Sequence, residues 1–155
     1  MINVGYLVIR EYPMAQIPTI AMQDLLSLFE GLICFEATVA DVDVPDNPHD
    51  MAIVVEEVLV MVETAVICYM DNRPVGLMMI DKGSPYAIAA LFVVEDARSK
   101  GVGELLIGWL QSRYPLQELT VDCYKGNTRA LSFYRRLGFE FTESPLIMKG
   151  ARKVR

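Results

Sequence analysis

The fold is decided by one stretch of sequence, Leu91-Phe-Val-Val-Glu-Asp-Ala-Arg98-Ser-Lys-Gly101-Val-Gly103-Glu-Leu-Leu106. It begins as an apolar strand, passes through a turn, and continues as an Arg-x-x-Gly-x-Gly stretch that opens an amphipathic helix. Glycines let a backbone approach an anion closely, and the unpaired N–H groups of a helix N-terminus point at it. This pattern is typical of a strand–loop–helix unit that binds phosphate.

Two other phosphate-binding motifs do not fit this stretch. A dinucleotide-binding fold needs a third glycine, but Gly108 falls at the wrong spacing, and no strand–helix–strand unit begins the chain. A P-loop is excluded because the sequence contains no Gly-Lys-Ser/Thr. The backbone N–H groups of residues 99–103 are therefore the predicted pyrophosphate cradle, and the helix dipole would favour its negative charge.

A second segment, Asn127-Thr-Arg-Ala-Leu-Ser-Phe-Tyr-Arg-Arg-Leu-Gly-Phe139, follows at a compatible distance. Together with Arg98-x-x-Gly101-x-Gly103, and with the strand, loop and helix order around both, it resembles the acetyl-CoA site of the GNAT superfamily of N-acetyltransferases. The resemblance covers about residues 64–149. The first 60 residues share only the strand–helix–helix layout of the family.

The resemblance implies a role for each matching residue. Strand residues 92–94 would offer backbone groups to the pantetheine arm of acetyl-CoA, the glycine loop would hold its pyrophosphate, and Asn127 would hydrogen-bond its arm. Tyr134 is implied as the catalytic acid that protonates the departing thiolate, since a phenol with a pKa of about 10 suits that step. The implied cofactor-binding residues are Phe92, Val93, Val94, Arg98, Ser99, Lys100, Gly101, Val102, Gly103 and Asn127.

The general base is where the sequence departs from the family. The implied reaction is direct attack of an amine on the thioester in a ternary complex, and the amine must be neutral to attack. Many family members carry a carboxylate on the strand before the pyrophosphate loop, but this strand has Ala87, Ala89 and Ala90. Glu36, Asp122 and bulk water remain the alternatives.

Hydrophobic periodicity predicts an α+β fold with the element order β-α-α-β-β-β-α-β-α-β-β. The resemblance makes this a mixed, mostly antiparallel central sheet flanked by helices on both faces. No repeat or linker is visible, so a single domain over residues 1–155 is expected.

Local signals predict several details of these elements. Asp50 is expected to cap the second helix, Gly138 to end the last one, and residues 71–73 to form a hairpin turn. The apolar run from Tyr86 to Val94 is expected to be a strand buried on both faces.

Composition limits the function classes. Apolar residues make up 53% of the chain and charged residues 22%, as in globular proteins. The longest apolar run is far shorter than the roughly 20 residues a bilayer requires, and the first residues lack a signal-peptide pattern, so a cytoplasmic protein without a membrane contact is expected. Three dispersed cysteines and one histidine, His49 in a polar loop, argue against a disulfide framework or a metal centre.

The charges divide unevenly along the chain. Residues 1–97 contain 3 Lys/Arg and 15 Asp/Glu, whereas residues 98–155 contain 11 Lys/Arg and 5 Asp/Glu. A polyanionic cofactor on the second half and a cationic acceptor on the first would fit, although solvated faces of opposite sign explain the same pattern. The acceptor would be a polyamine, an aminoglycoside or a lysine-bearing peptide.

Composition also bears on two further kinds of partner, a nucleic acid and a second copy of the chain. A net charge of −6 and the lack of interleaved aromatic residues argue against nucleic-acid binding through the basic C-terminal tail. The nine methionines are explained either by core packing or by a homodimer that covers apolar surface.

Two functions remain from the sequence. The first is an acetyl-CoA-dependent N-acetyltransferase that acetylates a small-molecule or peptide primary amine, and Tyr134 and Asn127 favour it. The second is a catalytically weak or inactive GNAT-fold module that binds CoA or a protein partner. The missing strand carboxylate favours the second.

Overall fold

The computed structural model describes residues 6–40, 47–142 and 147–152. The described helices and strands follow the predicted order. The strands are β1 (Leu7–Pro13), β2 (Val62–Met70), β3 (Arg73–Asp81), β4 (Ala87–Val93), β5 (Leu119–Tyr124), β6 (Phe139–Thr142) and β7 (Ile147–Arg152), and the helices are α1 (Thr19–Ala40), α2 (Pro48–Leu59), α3 (Val102–Arg113) and α4 (Thr128–Arg136). Residues 3–5 of the predicted first strand, most of the acidic loop and the end of the basic tail lie outside the described residues.

The seven described strands form one mixed sheet in the order β1-β2-β3-β4-β5-β7-β6. Every neighbouring pair is antiparallel except β4 and β5. These two parallel strands pair at only two positions, Ala87 with Thr120 and Ile88 with Val121. Beyond these pairs the ladder stops, and the sheet opens between β4 and β5.

A β-bulge lies where the ladder stops. On the other edge of β4, Ile88 pairs with Ile80 and Ala90 pairs with Met79, so Ala89 is an extra residue between two consecutive partners. A bulge bends its strand and increases the local twist. The bend therefore accompanies the separation of β4 from β5.

The helices cover both faces of the sheet. On one face α1 and α2 contribute Leu25 and Val55 to a core with the strand residues that face them. On the other face α3 and α4 contribute Leu106, Leu110 and Leu131 to a second core. The predicted α+β fold, with a mostly antiparallel sheet between two helical layers, is confirmed.

The local turn signals were mostly predictive. Asp71 and Asn72 have φ of 49° and 68°, the left-handed pair that a tight two-residue hairpin turn requires. Gly138 has φ of 95°, and its N–H donates to the Arg135 carbonyl, so it ends α4 as predicted.

The predicted cap of α2 is wrong. Asn47 caps this helix, and its side chain accepts a hydrogen bond from the Asp50 N–H at 2.9 Å. Pro48 occupies the first turn, where its fixed φ suits a helix start, so the cap lies three residues before the predicted one. His49 is consequently an exposed residue of this helix rather than a loop residue.

The prediction that the strand from Tyr86 to Val94 is buried on both faces is also wrong. Within β4 only Ile88 is buried, and Ala89 is exposed. The separation of β4 from β5 removes the neighbour that would have covered the rest of the strand. An apolar sequence thus lines an opening instead of a closed core.

Gly76 on β3 allows α3 to approach the sheet. A Cβ atom at this position would lie 2.5 Å from Cγ1 of Val102, the first residue of α3. No side chain fits at that distance, so the glycine determines how closely the glycine loop and the helix start lie to β3.

We expect Gly76→Ala to destabilise the protein by about 1–3 kcal/mol, the usual effect of overpacking a core. Urea unfolding measures the free energy of unfolding directly. Gly108→Ala is the matched control, because a Cβ there meets nothing within 4 Å. It should stabilise α3 by roughly 0.5–1 kcal/mol, since Ala favours a helix more than Gly. Equal stability of the Gly76 variant and the native protein would contradict the close approach.

Candidate active site

A cleft of about 360 Å³ lies where β4 and β5 separate. Its walls come from α1, from β4, from the loop and first turn of α3, from β5 and from α4. Nine of the eleven residues implied from sequence line it: Phe92, Val93, Arg98, Ser99, Gly101, Val102, Gly103, Asn127 and Tyr134. Val94 lines a neighbouring groove instead, and Lys100 is exposed to solvent outside the cleft lining.

The glycine loop has the backbone shape of an anion site. Ser99 and Gly101 both have left-handed φ, 65° and 84°, and such turns present successive N–H groups to one concave side. Gly101 is the N-cap of α3, and no side chain caps this helix start. The first-turn N–H groups of α3 therefore have no side-chain acceptor and are suited to a phosphate.

The second glycine of the motif brings α4 against α3. A Cβ at Gly103 would lie 2.8 Å from Cζ of Phe133. The same two helices are joined by an ion pair between Arg136 and Glu104 at 3.7 Å. Close packing at this point places the cleft-facing side of α4 beside the loop.

The side chain of Arg98 contacts both β4 and α1. Its Nε donates to the Val93 carbonyl at 3.0 Å. Its guanidinium carbon lies 4.9 Å from the ring centre of Phe35 and 5.9 Å from that of Phe92. The side chain therefore joins α1 to the end of β4, while the backbone of Arg98 remains part of the loop.

Asn127 begins α4. Its Oδ1 accepts a hydrogen bond from the Ala130 N–H at 3.2 Å, which caps the helix. Since this cap uses the side-chain oxygen, Asn127 can offer a ligand in the cleft its amide N–H groups.

Tyr134 lies on the inner wall with only 5% of its surface exposed. The rings of Phe133 and Phe139 pack edge-on against it, each at a centroid distance of 5.4 Å. Burial raises the pKa of Tyr134 well above its ordinary value of 10, and electrostatic interaction with Cys123 and Glu36 adds to the rise. The phenol is therefore protonated over the whole working range and is able to donate a hydrogen bond.

Both carboxylates named as alternative bases line the same cleft. Glu36 comes from α1 and is half-buried, and burial raises its pKa above 4.5. Asp122 comes from β5 and is exposed. Cys123, next to it, is buried, and burial together with the charge of Glu36 raises its thiol pKa to about 11.

A protein-family model described as an acetyltransferase (GNAT) domain matches residues 51–155. The chain belongs to the GNAT acetyltransferase family. The region matched includes the glycine loop, α4 and every described strand except β1.

Relatives with assigned activities match part of this GNAT chain. It is 37% identical over 71 residues to the peptidyl-lysine N-acetyltransferase YjaB of Escherichia coli K12, covering 46% of this chain and 45% of that protein. It is 32% identical over 73 residues to YiaC of the same organism, also a peptidyl-lysine N-acetyltransferase, covering 47% of each chain. The chain spans about half the length of these relatives.

Solved structures share the whole described fold. An acetyltransferase from Thermus thermophilus superposes with a TM-score of 0.72 at 18% identity, covering 96% of this chain and 98% of that one. The PaiA N-acetyltransferase of Thermoplasma acidophilum, solved with coenzyme A, has a TM-score of 0.67 at 12% identity and covers 96% and 99%. At these identities the similarity establishes the GNAT fold.

Among the described residues, no helix combines the length and apolar character needed to cross a membrane.

Sequence reasoning missed part of the cleft lining. Leu32 and Phe35 on α1 were not among the expected site residues, and of the α4 segment that resembles an acetyl-CoA site, Arg129, Ala130, Ser132 and Arg136 line the cleft although none was singled out as a binding residue. A helical stripe in α1, with Phe35 three residues after Leu32, marks the inward face, but nothing local in the sequence shows that this face reaches the glycine loop. The signal for the two arginines was their place in the segment from Asn127 to Phe139 and in the basic second half of the chain.

The raised pKa of Glu36 predicts a pH-dependent stability difference. The folded protein holds this proton to higher pH than the unfolded chain, so ionisation of Glu36 lowers stability as the pH rises through and above 4.5. We expect Glu36→Gln to have a higher Tm than the native protein at about pH 8 and a similar Tm at about pH 4.

Glu30→Gln is the control for this measurement. Glu30 is exposed on the same helix and does not line the cleft. The difference in Tm between the Glu30 variant and the native protein should therefore be the same at both pH values. Thermal melts of the native protein and the two variants at both pH values measure these differences in Tm. A Glu36 variant that is less stable than the native protein at the higher pH would refute the desolvation of this carboxyl.

Proposed function

We propose that this GNAT protein transfers an acetyl group from acetyl-CoA to a primary amine by direct attack within a ternary complex. The observation that carries the proposal is a single cleft with a phosphate-type loop on one wall and a buried phenol on another. The PaiA structure, solved with coenzyme A, and the peptidyl-lysine N-acetyltransferase relatives support it.

The residues around the loop fit a CoA-type ligand. The pyrophosphate would bind the N–H groups at the left-handed turn before α3, where a negative charge is favoured by the helix dipole. Arg129 and Arg136 line the same cleft and add positive charge for the phosphates. Beyond Ile88 the edge of β4 is unpaired with β5, and its backbone groups are available to the amides of the pantetheine arm.

Acetyl-CoA, when bound, supplies a thioester whose carbonyl carbon forms the new C–N bond while its C–S bond breaks. Tyr134 would donate its hydroxyl proton to the departing sulfur. Because burial makes this phenol a weaker acid than usual, the transfer is favourable only if a proton returns to its oxygen. The amine nitrogen loses such a proton as it becomes an amide, which restores the phenol.

A lysine side chain in a peptide is the proposed acceptor. The relatives with assigned activities are peptidyl-lysine N-acetyltransferases, and the first half of this chain is strongly acidic. Glu36 and Asp122 line the cleft and would attract an ammonium group.

A CoA-binding module without turnover is the second candidate function. The observation in its favour is the β4 strand, where alanines occupy the positions at which many family members carry a carboxylate. Turnover of any amine by the purified protein separates the two candidates.

Acetyl-CoA should raise the Tm of the protein, because a ligand that binds only the native state stabilises it by mass action. ATP and NAD are the control ligands and should give little shift. Gly101→Ala should reduce the acetyl-CoA shift, since a Cβ at φ of 84° strains the loop by roughly 1–2 kcal/mol. Gly108→Ala should keep the full shift. An equal shift with all three ligands would count against a CoA site.

Tyr134→Phe should lower kcat by about 10²-fold or more, the usual contribution of a positioned acid. Acetyl-CoA binding should change little, because the ring packing is retained. Tyr114→Phe is the control, since Tyr114 packs against Tyr86 away from the cleft. CoA release, followed with a thiol reagent, measures kcat in each protein. Unchanged kcat in the Tyr134 variant would remove the phenol from the mechanism.

A further inference from the structure

The geometry points to Glu36 as the general base that takes the proton from the acceptor ammonium group, an inference that rests on the proposed acetyl transfer. Glu36 belongs to α1, outside the strand on which many family members carry this carboxylate. Its role is therefore assigned from its position in this cleft.

Three carboxylates line the described part of the cleft: Glu36, Glu104 and Asp122. Glu104 lies in the first turn of α3, beside the phosphate loop, where it is exposed and paired with Arg136. Asp122 is exposed on β5. Of the three carboxylates, only Glu36 is partly buried.

The packing of α1 holds Glu36 in place. Leu32, Phe35 and Glu36 lie three and four residues apart, so they share one face of the helix, and all three line the cleft. Leu32 is 5% exposed, and the Phe35 ring lies under the Arg98 guanidinium at 4.9 Å. Because Arg98 also donates to the Val93 carbonyl, this part of α1 is held against β4. Glu36 is the next residue of the helix and lines the cleft.

Glu36 lines the same cleft as the proposed acid, Tyr134. Its negative charge contributes to the raised pKa of both Tyr134 and Cys123, so its carboxylate lies within electrostatic range of the phenol. Both groups line the same cleft, in which the amine would approach and the sulfur would leave.

The environment of Glu36 suits a base. Desolvation raises its pKa from the ordinary value towards the working pH, where a general base is more effective. The other charged or titratable groups that line the cleft are Arg98, Glu104, Asp122, Cys123, Arg129, Tyr134 and Arg136. The raised pKa of Glu36 is caused by its burial.

The protons balance. The acceptor ammonium gives one proton to the Glu36 carboxylate and becomes a neutral amine. As the C–N bond forms and the C–S bond breaks, the sulfur takes the Tyr134 hydroxyl proton, and the second proton lost by nitrogen restores that hydroxyl. Glu36 then releases its proton to water, so the products are the amide, CoA thiol and one proton.

The test is a pH profile of kcat/KM with acetyl-CoA and lysine-bearing peptides as substrates. In the native protein, activity should rise through an acidic limb and level off once Glu36 is ionised. In Glu36→Gln, activity at neutral pH should fall by about 10²-fold and keep rising with pH as the free amine fraction grows. Glu30→Gln, on the exposed side of the same helix, should keep the native profile.

Two results would overturn the inference. One is a Glu36 variant that retains the native acidic limb and activity within about threefold. The other is loss of that limb in Asp122→Asn instead. The acetyl-CoA shift in Tm is measured on every variant to show that each is folded and binds cofactor. If the native protein acetylates no amine, both the proposed function and the role of Glu36 are wrong. If the native protein acetylates an amine and the Glu36 variant is equally active, only the role of Glu36 is wrong.

Discussion

The short parallel pairing of β4 and β5 is the constraint on which the candidate site depends. Two residue pairs join these strands, and the bulge at Ala89 bends β4 where the ladder stops. Backbone N–H and C=O groups need partners, so an opened strand edge is stable only when water or a ligand reaches it. The opening therefore lets α1 and α4, which cover opposite faces of the sheet, line one cleft.

Arg98 connects α1 to the end of β4 at this opening. Its position in the glycine motif ties it to the phosphate loop, yet its side chain contacts the Val93 carbonyl and the ring of Phe35 on α1. A guanidinium combines a directional donor with a flat face that stacks on aromatic rings, which a lysine does not reproduce. The wall that would hold the cofactor and the helix that carries Glu36 are thus held in one arrangement.

Local chemistry explains which predictions were correct. Asp71, Asn72 and Gly138 adopt left-handed φ as their residue types allow, so the hairpin turn and the end of α4 were predictable. The α2 cap was misassigned to Asp50 because Asn47 and Pro48 together form an earlier start. The burial of β4 was wrong because an apolar sequence does not show whether a neighbouring strand separates from it.

The amino-acid sequence by itself determined the order of the described elements, the glycine loop before α3 and the acidic first half of the chain. The elements and the glycine loop depend on residues close together in the chain, since backbone conformation and helix capping are local. The acidic character of the first half is a matter of composition alone. Only the tertiary structure decided that Phe35 and Glu36 reach the cleft that contains Tyr134. Residues so far apart in the chain meet through the packing of α1 on the sheet and the opening between two strands, and neither is a local property.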